Sequence, residues 1–76
     1  MFKSIKTAEE IFAENIQILS EQIRIERNAK LAKTDWTQVS DAPVDQAAWA
    51  TYRQALRDIT SQEDFPNSVL WPEAPL

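Results

Sequence analysis

TAEEIFAENIQILSEQIRIERNAKLAK, from Thr7 to Lys33, is the stretch that decides the fold. It holds no proline and no glycine, so nothing in it breaks a helix. Its opening, Thr7-Ala8-Glu9-Glu10, has the spacing of a capping box. The Thr7 oxygen can accept from the Glu10 amide while the Glu10 carboxylate reaches back to the Thr7 amide. Glu9, Glu10 and Glu14 stand near the start and Lys30 and Lys33 near the end, as the helix dipole favours. The stretch predicts one long helix, preceded by a short lead at Met1 to Lys6.

The apolar residues of this helix fall into two stripes. Phe12, Ile16, Leu19 and Ile23 form one at helical spacing, and Ile11, Ile18, Ile25 and Ala32 recur every seven residues as a second. At about 100° per residue the two are roughly 110° apart on the helix surface. A helix packed on one neighbour needs one stripe. Either the two merge into one wide buried face, or one serves the chain's own core and the other a second molecule. The heptad recurrence of isoleucine suits a helical partner, leaving homo-oligomerisation through this helix open. Ile11, Phe12, Ile16, Ile18, Leu19, Ile23 and Ile25 are therefore the candidate partner-binding residues.

Working outward, Thr34 to Pro43 is a polar connection, with Asp35 and Asp41 suited to turns. Trp36 within it is expected to pack down between helices with its indole N–H bonded. A second helix is predicted from about Val44 or Asp45 to Ile59. Asp45 is its N-cap, or Asp41 if the helix begins earlier. Trp49, Tyr52, Leu56 and Ile59 share one face, with Ala48 and Ala55 beside them permitting close approach. Thr60 to Asp64 reads as a polar turn. From Phe65 onward, prolines at 66, 72 and 75 forbid a regular helix. Phe65, Val69, Leu70 and Trp71 make a solvated tail implausible, so an extended strap across the helices is expected. The fold class is thus mainly α: a long N-terminal helix, a polar loop, a shorter helix and a proline-rich extended tail packed back. Residues 1–33 form a docking helix and 34–76 a compact Trp/Pro-rich module.

Composition narrows the chemistry. The 76 residues include no cysteine, histidine or glycine, and the net charge is −4. Thiolate and imidazole metal sites, the usual general base, and glycine loops that cradle phosphate are therefore excluded. No basic cluster supports nucleic-acid binding. No apolar run approaches the roughly 20 residues of a membrane span, and the N-terminus lacks a signal-peptide core. The expectation is a soluble cytoplasmic interaction protein with no catalytic residue, cofactor, metal or small-molecule substrate. A chain of this size buries only about 60% of its unfolded surface, so its core is small.

Arg53 and Arg57, one helical turn apart, present guanidinium forks either to a partner's carboxylates or to Asp35, Asp41 or Asp58 within the chain. The scattered glutamates of the first helix read as a solvated face. Three tryptophans without basic neighbours read as shared core and not as a base-stacking platform. The residues expected to hold the module together are Trp36, Asp41, Trp49, Tyr52, Arg53, Leu56, Arg57, Phe65, Pro66, Trp71 and Pro72.

Taken in order, Thr34-Asp35-Trp36-Thr37, Asp41-Ala42-Pro43, Trp49-Ala50-x-Tyr52-Arg53-Gln54-Ala55-Leu56-Arg57-Asp58-Ile59, Phe65-Pro66 and Trp71-Pro72 resemble the phage tail assembly chaperone family. The resemblance spans about Arg27 to Pro75 and does not extend to Thr7–Glu26. It implies a non-enzymatic helper that holds a phage tail protein, such as a tape-measure, tube or fibre component, in the host bacterial cytoplasm during infection. The alternative is a small structural subunit retained in the virion, in the tail, neck or fibre attachment, docked through its N-terminal helix.

Overall fold

The computed structural model describes residues 7–75. The lead expected at Met1 to Lys6 lies outside them. Helix α1 runs Ala8–Thr34 and helix α2 runs Gln46–Arg57, each followed by a one-turn 3-10 helix, Asp35–Gln38 and Asp58–Ser61. No strand is present among the described residues.

Both helix starts are capped by side chains. At α1 the Glu10 amide donates to Thr7 Oγ1 and the Thr7 amide to Glu10 Oε1, each at 3.1 Å, completing the capping box. At α2 the Ala48 amide donates to Asp45 Oδ1 at 3.1 Å. Asp45, not Asp41, is thus the N-cap. The end of α1 is less usual. Helices commonly stop on a left-handed residue, most often glycine, but this chain has none. No described residue has positive φ. Instead the chain tightens: the Asp35 amide bonds the Ala32 carbonyl, and the 3-10 turn follows directly.

The 3-10 geometry settles where Trp36 goes. Three residues per turn eclipse i with i+3, so Thr34 and Thr37 share one edge while Trp36 and Val39 share another. Thr37 is fully buried, whereas Trp36 and Val39 are each 51% exposed. Trp36 therefore lies outside the core, contrary to the sequence expectation, because the tight turn gives its inward edge to threonine.

α2 returns antiparallel along α1. Arg53 meets Leu31, Thr34 and Asp35, while Leu56 and Ile59, further along, cluster with Ile23. Ile23, Leu56 and Ile59 are the buried apolar core. Leu19, Leu31, Tyr52, Phe65, Val69 and Trp71 pack around it. Trp49 is outside this cluster. It is partly buried and meets Tyr52 edge-on, with centroids 5.6 Å apart and planes at 88°. The cause is its place near the start of α2, two turns before Leu56.

Beyond α2 the chain makes two turns, closed by Phe65 N–H to the Gln62 carbonyl and Ser68 N–H to the Asp64 carbonyl. Pro66, after a cis peptide bond, is buried and Pro72 is partly buried. The Gln62 side-chain amide pairs both ways with the Leu70 backbone at 2.8 Å. The Arg24 guanidinium lies over the Phe65 ring and the Lys30 ammonium over the Trp71 ring.

The molecule is long and thin, 62 × 26 × 15 Å. Its radius of gyration, 17.4 Å, is well above the roughly 11 Å of a compact domain of this length. Length comes from α1. Residues 8–15 are exposed, and burial begins in earnest only at Leu19, Ser20 and Ile23. About 16 Å of helix thus projects beyond the packed part.

Candidate functional site

Two arrangements stand out: an anchored guanidinium inside the fold, and an apolar edge outside it.

Arg53 is 7% exposed. Its Nη1 donates to the Leu31 carbonyl and to Thr34 Oγ1, both at 2.7 Å, and its Nη2 to Asp35 Oδ1 at 2.6 Å. Leu31 belongs to the last turn of α1, whose carbonyls lack amide partners further along the helix. The tightened end gives the Asp35 amide to Ala32 and leaves the Leu31 carbonyl for Arg53 and the Thr34 hydroxyl. A cation there also meets the negative end of the helix dipole. Arg53 is in effect a C-cap supplied by the other helix.

Of the carboxylates considered for the arginine pair, Asp35 is the one that reaches Arg53, while Asp41 is exposed and Asp58 accepts from Gln54. Arg57 is exposed and has no ion pair or side-chain hydrogen bond among the described residues. Helical phase explains the difference. Leu56 lies roughly 60° to one side of Arg53 and Arg57 roughly 40° to the other, away from the core.

Sequence reasoning missed Thr34, Thr37 and Gln46. Thr37 Oγ1 donates to the Thr34 carbonyl at 2.6 Å. Gln38 Nε2 donates to the Gln46 carbonyl and Gln46 Nε2 to the Val39 and Ser40 carbonyls, tying the loop to the start of α2. A threonine three residues after another, just past a helix, was the available signal, because a 3-10 turn brings that pair together.

The apolar edge lies on α1. Phe12, Ile16, Leu19 and Ile23 were grouped as one stripe, and the fold uses only part of it. Ile23 is buried, Leu19 packs against the core, and Ile16 is partly buried. Leu19 and Ile23 are thus occupied within the chain and are not exposed contact residues. Phe12, on the same side but beyond the reach of α2, is 64% exposed. Ile11, Ile18 and Ile25 are 47%, 56% and 67% exposed, and all face away from α2.

No group of three or more potential metal-ligating side chains is gathered among the described residues. No described helix is long and apolar enough to cross a membrane. Surface concavities are shallow grooves, one along α1 lined by Glu14, Asn15, Gln17, Ile18 and Glu21. What the geometry offers is a small helical body with an apolar flank, the kind of surface that meets another protein.

The chain belongs to the phage tail assembly chaperone protein family, whose model matches residues 20–76. The membership supports a role in phage tail assembly. The match begins seven residues before Arg27, where the resemblance was placed, and so takes in Ser20 and Ile23, where α1 enters the core. No match was found among curated proteins or solved structures.

Proposed function

We propose that the protein is a non-enzymatic tail assembly chaperone that binds a phage tail protein through the outward face of α1. The observation that carries this reading is the row Ile11, Ile18 and Ile25, left outside by a fold that already has its core. A row of exposed isoleucines spaced two turns apart on so small a body is a hydrophobic penalty in water and a set of anchors against a partner. A helix face of this kind is read through spaced anchors. Phe12, on the projecting part of α1, adds a large apolar side chain to the same docking region.

The division at residue 33 is functional and does not mark a break in packing. The helix up to there carries the docking surface, while residues 34–76 supply the rest of the module that holds it rigid. In this reading the segment from Phe65 onward is a strap. Phe65 and Trp71 cover the core, and Gln62 fixes the segment's backbone at Leu70. The chaperone acts by covering apolar surface on its partner in the cytoplasm of the infected host, a task that needs no catalysis.

Affinity capture of the tagged protein during infection tests the proposal, with mass spectrometry of purified particles beside it. The expected outcome is co-purification of a tail protein from infected cells and absence of the chain from finished virions. Stoichiometric presence in the particle would overturn the chaperone role in favour of a structural subunit retained in the tail.

A further inference from the structure

The charges around the exposed isoleucines say more about what covers them. On a helix the neighbours of residue i are i±3 and i±4. For Ile11, Ile18 and Ile25 these positions hold Thr7, Ala8, Glu14, Asn15, Glu21, Gln22, Asn28 and Ala29. The charged ones, Glu14 and Glu21, are both acidic. Between Thr7 and Ile23 the sequence has Glu9, Glu10, Glu14 and Glu21 and no lysine or arginine. Of the basic residues that follow, Arg24 lies over Phe65 and Lys30 over Trp71, while Arg27 donates to its neighbour Asn28. The groove beside Ile18 is likewise lined by Glu14 and Glu21.

Resting on the reading of this stripe as a docking face, we propose that its occupant is a single amphipathic helix of another protein. That helix carries apolar residues at heptad spacing with lysine or arginine beside them, and it is not a second copy of this chain. A second copy would bring its own Glu14 and Glu21 to the seam, whether the helices ran parallel or antiparallel. Like charges flanking a helical seam select against a pairing, and opposite charges select for it. A basic-flanked helix meets both demands, with isoleucines seating its apolar row and the glutamate flank setting its orientation.

The test titrates the full chain with three synthetic three-heptad helices that share one isoleucine–leucine seam and differ only in flanking residues: lysine, glutamine or glutamate. Sedimentation of the protein alone runs beside it. The lysine-flanked helix should bind about tenfold more tightly than the glutamate-flanked one, the difference shrinking with added salt. Ile18→Ser should abolish binding with helicity unchanged, and Glu21→Lys should reduce or invert the preference. The protein alone should sediment as a monomer. Equal affinity for all three helices, or binding that survives Ile18→Ser, overturns the proposal. So does a dimer that Ile18→Ser dissolves, which would make the occupant a second copy. Capture in infected cells answers the separate question of tail assembly. Capture through the stripe with no charge preference would sink this inference alone. Charge-selective binding without capture of a tail protein would sink the assembly role alone.

Discussion

Arg53 joins the two helices with three hydrogen bonds from one side chain, and the environment of each acceptor says what each is worth. The Asp35 carboxylate is 67% exposed, so the ion pair is screened by water and contributes about 1 kcal/mol or less. The Leu31 carbonyl and Thr34 hydroxyl are part-buried, and losing their donor leaves them poorly solvated. Lysine cannot span three acceptors in one plane. Arg53→Lys should therefore destabilise the protein by about 1–3 kcal/mol, while Arg57→Lys, on the exposed turn, should change stability by about 0.5 kcal/mol or less. Urea unfolding followed by tryptophan fluorescence checks both. Equal effects of the two substitutions would show that Arg53 is not the anchor. At this scale the sequence was only half legible. That Arg53 and Arg57 sit one turn apart is plain from the spacing, but which one turns inward depends on the phase of α2 against α1. Trp36 misled for a related reason: hydrophobicity argued for burial, and the 3-10 turn put two threonines on the inward edge instead.

At the scale of elements, α1 was the most legible, because capping box, composition and dipole all agreed over a long uninterrupted run. Its two stripes were visible too, although spacing alone does not say which one meets α2. That assignment comes from where α2 ends: Leu56 and Ile59 reach Ile23, and residues 8–15 of α1 are exposed. The connection after α1 was less legible, since a 3-10 turn has no periodicity long enough to detect. The segment after α2 was readable as non-helical from its prolines. Its attachment through Gln62 was not, because a side-chain amide imitating a strand leaves no pattern. Removing residues 65–76 should uncover Leu56 and Ile59, both fully buried in the intact chain. The truncated protein should bind a hydrophobic dye and melt at a lower temperature. A truncated protein that stays monomeric, dye-silent and equally heat-stable would remove the segment from the core.

For the whole molecule, shape follows from the size of the core. Among the described residues the core of Ile23, Leu56 and Ile59 closes on the later half of a 27-residue helix and leaves residues 8–15 exposed. One helix therefore does two things. Its inward face from Leu19 onward packs on the rest of the fold, and its outward face carries the exposed Ile11, Ile18 and Ile25 of the proposed docking surface. Family membership was expected from the ordered aromatic and proline motifs, and the family match over residues 20–76 bears the membership out. The extent of the match was not legible, because α1 from Ser20 to Glu26 carries no such motif and meets the module through Ile23 and Arg24. The two faces make separable demands. On the proposed docking role, Ile23 and its neighbours serve folding, whereas Ile11, Ile18 and Ile25 serve only the partner contact. The most direct test is capture of tail proteins from infected cells by the variant carrying Ile11→Glu, Ile18→Glu and Ile25→Glu, with tryptophan fluorescence monitoring its fold. The account predicts wild-type fluorescence and no captured tail protein. Capture at the wild-type level by the folded variant, or collapse of the fold itself, would contradict it.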